Sequence, residues 1–275
     1  MALPTAPTAS SIVEEALSRL NEPNISADMQ TRGQDILLGV INRVAKRGSW
    51  RVLEETKSII LTAYQPRYVI PADFNKGVDL RLFSGGYTGT MQSASPSTIT
   101  LAAAEPVTAV VAQGSPIFML TGNAAGYFSR IVSYNFGTKQ ATISPSWGLE
   151  PTSGNYLIPA EELELPYNFN TKPRLLDSVA KPLRASVYDD EIYLSPVPNS
   201  DNMALLARYQ VKVHKIDLTD ARFTNVYWDW REALILGVIR DWAYQPDDDR
   251  YKQATEDFEQ AVLELTVEEK RRGGF

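Results

Sequence analysis

Apolar residues recur along this chain with two periods, and the points where one replaces the other divide it. Near the start, Val13, Ala16, Leu17 and Leu20 fall on one helical face. Ser11 and Glu14 have the spacing of a capping box, and Asn21-Glu22-Pro23 ends the pattern. Ser26 is then placed to cap a second helix, in which Met29, Ile36, Leu37, Val40, Ile41 and Val44 repeat at three- and four-residue steps. Lys46 and Arg47 complement its C-terminal dipole, Gly48 reads as a left-handed stop, and Trp50 is expected to pack beneath the helices.

From residue 51 to 70 the texture is that of strands, carried by Ile59, Ile60, Leu61, Tyr64, Tyr68, Val69 and Ile70 and closed by the turn Pro71-Ala72-Asp73-Phe74. A further strand over 77–83 runs into Ser84-Gly85-Gly86. Residues 85–158 then form a block of Gly, Ser, Thr, Ala and short apolar runs with very few charges. Strands are predicted at 99–101, 107–111, 117–120, 127–134 and 140–143, a spacing that suits a small antiparallel barrel or sandwich. Because strand texture resumes after it, the block reads as an insertion in a host domain. Residues 163–167 bridge back, and the runs 191–195 and 204–211 flank Pro196 to Asn202 as a hairpin with a long tip.

Residues 225–272 return to the helical period as two patterns separated by Tyr244-Gln245-Pro246-Asp247. Tyr227, Trp228, Trp230, Leu234, Ile235, Val238, Ile239 and Trp242 make the first apolar around most of its circumference, which predicts a buried helix. Tyr251, Ala254, Phe258, Ala261, Val262 and Leu265 make the second one-sided, with Lys252, Glu256, Asp257, Glu259 and Glu264 between them. The fold class is therefore α+β: a helical bundle from N- and C-terminal helices plus β hairpins, with an inserted small antiparallel β barrel or sandwich. The expected organisation is an arm at 1–10, a core at 11–84 and 159–267, the insertion at 85–158, and a tail at 268–275.

Composition narrows the function classes. The 275 residues are 44% hydrophobic and 22% charged, the balance of a globular protein. There is no cysteine, which removes disulfides, thiolate nucleophiles and cysteine-ligated metals. No basic segment followed by an apolar run opens the chain and no stretch has the length of a membrane span, so a soluble protein made without a signal peptide is expected. A net charge of −6 has the wrong sign for gripping phosphates, so sequence-specific nucleic-acid binding is not expected. An acidic surface past which DNA slides is compatible with it.

Groups able to do chemistry are scarce. His214, the single histidine, alternates with Val211 and Val213 on the polar side of a strand and has no orienting partner nearby in sequence. Three acidic clusters stand out: Glu161, Glu162 and Glu164; Asp189, Asp190 and Glu191; and Asp247, Asp248 and Asp249. The last precedes a helix, where acids favour the N-terminal dipole, and it lacks the alternating acids, central Gly and terminal Glu of a calcium loop. Gly85-Gly86-Tyr87-Thr88-Gly89 lacks the lysine of a phosphate loop, and Asn24-Ile25-Ser26 reads as a helix-entry turn. Trp147 alone among the tryptophans is kept as a possible ligand contact. No cofactor or metal is implied.

Several segments together resemble a family, the head-to-tail adaptor (connector) proteins of short-tailed phages, which includes tail tubular protein A and the tail accessory factors. They are the helix end Asn21-Glu22-Pro23, the close Arg47-Gly48-Ser49-Trp50, and the turn Tyr68-Val69-Ile70-Pro71-Ala72-Asp73-Phe74. To these are added Tyr193-Leu194-Ser195-Pro196-Val197-Pro198 through Ala207-Arg208-Tyr209, and Trp230-Arg231-Glu232. The similarity covers both ends of the chain; residues 85–158 depart from the small members of the family. The resemblance implies a non-enzymatic virion protein at the head–tail junction, made in the host cytoplasm. It implies a ring, of twelve subunits, between portal protein and tail nozzle or tail tube, through whose channel DNA passes. It also implies that the tail reaches the portal, which assigns Lys270, Arg271, Arg272, Gly273, Gly274 and Phe275 as portal-binding residues. Two alternatives stay open beside it: a tail-associated cell-wall glycan hydrolase using the acidic clusters, and a host-surface binding module using the insertion and Trp147.

Overall fold

The computed structural model describes residues 7–22, 24–104, 113–169, 178–213, 218–219, 222–242 and 249–271. It is α+β, with five α-helices and three sheets among the described residues. Two compact units divide it, Met1–Glu54 with Gln210–Phe275 and Glu55–Tyr209.

The first unit carries the helices α1 (Ala9–Arg19), α2 (Ala27–Lys46), α3 (Arg222–Asp229), α4 (Arg231–Trp242) and α5 (Asp249–Arg271), with a 3-10 turn at Arg51–Leu53. α4 is the hub: α1, α2, α3 and α5 all pack on it. Two glycines allow the close approaches. A Cβ on Gly33 of α2 would lie 2.3 Å from Val13 of α1, and one on Gly237 of α4 would lie 2.4 Å from Val40 of α2 and 3.0 Å from Phe258 of α5. Val13, Ala16, Leu17, Leu37, Val40, Ile41, Val44, Leu234 and Val238 are buried, as their spacing predicts, and Ile12, outside the expected face, is buried with them.

Several local readings change. α1 begins earlier than its Ser11 cap implies: Thr8 is the N-cap, its hydroxyl accepting from the Ser11 N–H at 3.2 Å while the Ser11 hydroxyl accepts from the Thr8 N–H at 2.8 Å. Ser11 thus holds the other end of the box, because Ala9 is itself buried and draws the helix back by a turn. Ser26 does cap α2, accepting from the Met29 N–H at 3.3 Å. Gly48 is no left-handed stop; its place is against the Trp50 ring, 3.4 Å from an added Cβ. Residues 51–53 are a 3-10 turn rather than strand. The long apolar pattern after residue 222 is interrupted at Trp230, between α3 and α4. It is not buried all round, since Trp228 is 45% exposed.

The second unit contains β1 (Glu54–Ile60), β2 (Arg67–Val69), β3 (Phe74–Ser84), β4 (Tyr87–Thr90), β5 (Ser93–Ser95), β6 (Thr98–Thr100) and β7 (Pro116–Met119). Then come β8 (Phe128–Asn135), β9 (Gln140–Ser144), β10 (Asn155–Ile158), β11 (Glu161–Glu164), β12 (Tyr167–Phe169), β13 (Arg184–Tyr188), β14 (Glu191–Ser195) and β15 (Met203–Val211). They order as β1-β15-β3-β11, as β12-β13-β14-β2, and as the seven-stranded β4-β10-β7-β8-β9-β6-β5. The seven-stranded sheet is antiparallel throughout. The strand expected at 107–111 lies outside the described residues.

The chain enters and leaves the seven-stranded sheet through one ribbon. β3 pairs with β11 up to Ser84↔Glu161, and β4 pairs with β10 from Tyr87↔Ile158 onward. Between the ladders, Gly85 and Gly86 take φ of 65° and 81°. At Gly86 a Cβ would lie 2.2 Å from the Ile158 carbonyl oxygen, so glycine is needed both for conformation and for approach. Phe83 of β3, Phe118 of β7, Leu157 of β10 and Ala204 of β15 bury one another beside this ribbon.

The hairpin expected between 191–195 and 204–211 does not form. β14 pairs with β13 and β2, whereas β15 lies between β1 and β3 in another sheet. The hairpin is β13–β14 instead, turned by Asp189 and Asp190 with φ of 53° and 57°. Two consecutive residues at positive φ are what a two-residue turn matched to strand twist requires, and Asp tolerates them.

Candidate functional site

α5, at 23 residues, is the longest helix among the described residues. Its seat is narrow: Ala254, Phe258 and Val262, at four-residue steps, are buried. Beneath it, Arg240 of α4 is itself buried, with its guanidinium 4.2 Å above the Phe258 ring and its Nε donating to Asp241 at 2.8 Å. Burial, followed by repulsion from Arg43 and Arg47, pushes the Arg240 pKa down. Asp241 also pairs with Arg43, and Arg47 grips Glu259 with two bonds of 2.8 Å. The α2–α4–α5 junction is thus closed by alternating guanidinium and carboxylate groups around an apolar seat.

The opposite side of α5 is uncovered. Leu263 is 58% and Val267 42% exposed, one turn apart. Two open depressions flank them. One of about 560 Å³ is lined by Arg47, Glu256, Glu259, Gln260 and Leu263, and one of about 680 Å³ by Gln260, Glu264, Val267, Glu268 and Arg271. Apolar knobs within a rim of Glu, Gln and Arg have the composition of a protein-contact patch, not of a small-molecule cleft. Reading one amphipathic face did not find Leu263 and Val267, because they lie off the face that carries Phe258 and Val262. The available signal was the run Ala261-Val262-Leu263, three consecutive apolar residues that span about 200° of the circumference and so cannot all share one side of a helix.

Of the residues assigned to the portal, Lys270 and Arg271 form the exposed last turn of α5. Arg272, Gly273, Gly274 and Phe275 lie outside the described residues, as do His214, Asp247, Asp248 and the turn at 244–247. Trp147, expected as a possible ligand contact, is not at the surface: at 3% exposure it belongs to the core of the seven-stranded sheet with Ile99, Met119, Ile143 and Tyr156. In a loop its side-chain direction has no period to betray it.

Of the acidic clusters, the two whose side chains are described are taken up in ion pairs and a turn. Glu161 pairs with Lys181, and Glu162 accepts from Arg81 at 2.5 Å on β11, an edge strand where charge discourages pairing with another chain. Asp189 and Asp190 form their turn, and Glu191 accepts from the Tyr193 hydroxyl at 2.8 Å. The carboxyls of Glu161 and Glu232 are both held below the usual range, mainly by bonds from Lys181 and Arg19 respectively. That is the opposite direction from a general acid. Among the described residues, no group of three or more His, Cys, Asp or Glu could hold a metal ion, and no helix is long and apolar enough to cross a membrane. No protein-family model matches the chain, and no curated protein matches it.

Proposed function

We propose that the chain is a structural virion protein, a ring-forming adaptor that joins the portal to the tail and lines part of the DNA conduit. The observation that carries this reading is the outer face of α5, where exposed Leu263 and Val267 run toward exposed Lys270 and Arg271 on a helix with one side already seated. A ring subunit needs a face of this kind for its neighbour, and an end that can reach the next component. The resemblance of the segments around Asn21-Glu22-Pro23, Arg47-Gly48-Ser49-Trp50 and Trp230-Arg231-Glu232 to the adaptor family supplies the biological setting. The net charge of −6 suits a channel that DNA crosses without being held.

Within this reading, α1, α2, α4 and α5 are the bundle of the adaptor, built round α4. The seven-stranded sheet is a small wrapped barrel. Its two end strands, β4 and β5, are separated by Met91 and Gln92 alone, and the Gln92 N–H donates to Thr100 while the Met91 N–H donates to Gly154. One strand bent at these two residues would serve both ends of the sheet around the core that holds Trp147 and Tyr156.

The test is reconstitution with purified portal particles and imaging by electron microscopy. The expected result is a ring of about twelve copies on one portal face, the count the adaptor family implies under closed cyclic symmetry. Leu263→Glu, at a site too exposed to disturb folding, is expected to prevent the ring. Bare portals after mixing with the unaltered chain would overturn the assignment.

A further inference from the structure

α5 has 23 residues and α4 has 12. At 1.5 Å per residue these are about 35 Å and about 18 Å, so roughly half of α5 extends beyond the helix it packs on. Burial follows the overhang. Ala254, Phe258 and Val262 are buried, and from Leu263 to Arg271 no residue is. Leu265, Thr266 and Glu269 are half-buried there, and Glu269 adds a polar tie. Oε1 of Glu269 accepts from the backbone N–H of Arg51 at 2.9 Å and lies 3.4 Å from its Nε.

That N–H has a reason to seek an outside acceptor. Arg51 opens the 3-10 turn, and the N-cap residue Trp50 supplies no side-chain bond. The first N–H groups of any helical turn have no internal partner. Glu269, 218 residues away in sequence, acts as the cap, and its side chain is mostly covered, 17% exposed. A second ion pair of α5, Arg47 with Glu259, lies ahead of the overhang and fastens the seated half.

We propose that the Glu269–Arg51 contact is a latch: it holds residues 263–271 down, and its release frees that half of α5 as a unit while the half that carries Ala254, Phe258 and Val262 stays seated. The freed half carries Leu263, Val267, Lys270 and Arg271 together, the residues available to a partner. Only the partner's identity rests on the adaptor reading; the latch does not.

Hydrogen–deuterium exchange on the full chain tests it, comparing the unaltered protein with Glu269→Ala and with Lys270→Ala as control. Alanine keeps the helix and removes the acceptor. In Glu269→Ala the amides of 263–271 and of Arg51 are expected to exchange faster by on the order of two- to tenfold, the net worth of one hydrogen bond. Those of 254–262, and the thermal midpoint, stay where they were, and Lys270→Ala changes neither half. Equal exchange of 263–271 in all three proteins would overturn the latch. So would acceleration of 254–262 to the same degree, because α5 would then move as one piece. A portal that fails to bind while this exchange pattern holds removes the adaptor reading alone.

Discussion

The helices of the first unit and the seven-stranded sheet of the second solve the same problem by different means. The helices are tied by guanidinium–carboxylate pairs: Arg19 with Glu15 and Glu232, Arg231 with Glu15, Arg43 with Asp241, Arg47 with Glu259, and Arg51 with Glu269. The described part of the sheet, by contrast, has Arg130, Lys139 and Glu150 as its charged residues. It is held by Ile99, Ile117, Met119, Ile131, Ile143, Trp147 and Tyr156 inside and by the Phe83–Phe118–Leu157–Ala204 cluster at its base. Cohesion of the sheet therefore tracks packing, and cohesion of the helices tracks packing plus charge. Salt and pH should act on the two regions unequally.

The largest effect falls on the packed base of the sheet. Phe118 is fully buried, with the rings of Phe83 and Phe128 each 5.0 Å from its own. Phe118→Ala removes the central ring of three, and is expected to cost about 3–5 kcal/mol by transfer and cavity terms together. Chemical denaturation followed by tryptophan fluorescence measures it. The cost should be the same in low salt and in about 1 M salt, where the Debye length is ~3 Å. A cost that falls with salt would mean that charge, not packing, holds the sheet.

How much of this was legible in the sequence differs between the regions for the same physical reason. Helices are local, so the faces of α1 and α2 and the Ser26 cap follow from spacing alone. The short strands β6 to β9 were also legible, near 99–101, 117–120, 127–134 and 140–143. Their partners were not. Pairing is a long-range choice, and β14 and β15, neighbours in sequence, end in different sheets. Asp189-Asp190 did carry a readable turn signal for the true β13–β14 hairpin. At the candidate site Lys270 and Arg271 were legible as a charged helix end. Leu263, Val267 and the Glu269–Arg51 contact were not, the first two because they break the amphipathic pattern, the last because it joins residues 218 apart.

A middle-sized effect sets the same substitution in both regions. The Trp50 Nε1–H donates to the Val44 carbonyl at 3.0 Å, and its ring meets that of Trp230 edge-on at 5.0 Å. The Trp147 Nε1–H is buried with no acceptor among the described residues. Trp50→Phe loses a satisfied buried bond and is expected to cost about 1–2 kcal/mol. Trp147→Phe loses ring contacts but also removes an unmet donor, two effects of opposite sign, so its cost should stay within about 1 kcal/mol. Denaturant midpoints at matched slope rank the two. If Trp147→Phe costs as much as Trp50→Phe, the Trp147 donor has a partner after all, and the contrast between a polar-tied and an apolar-tied region loses one of its supports.

The smallest effect isolates charge. Glu232, in the first turn of α4, takes two bonds from Arg19 of α1, at 2.6 and 3.0 Å, and the carboxyl sits close to a helix N-terminus that favours it. Its folded pKa is held down, chiefly by the Arg19 bonds and against the cost of burial. A carboxyl whose folded pKa lies below its unfolded value adds stability that is fully present above the unfolded value and is lost as pH falls through the folded one. Both side chains are largely open to water, 37% and 56% exposed, so the contribution is discounted to about 0.5–1 kcal/mol. Glu232→Gln should therefore lower stability by that amount at neutral pH and low salt. The gap between it and the unaltered chain should close as pH drops below the ordinary carboxylate range, and also as salt is raised. Stability curves of the two proteins across pH and salt decide it. A gap that persists in acid would show that the side chain packs rather than pairs, and that the α1–α4 contact is held in the same way as the sheet.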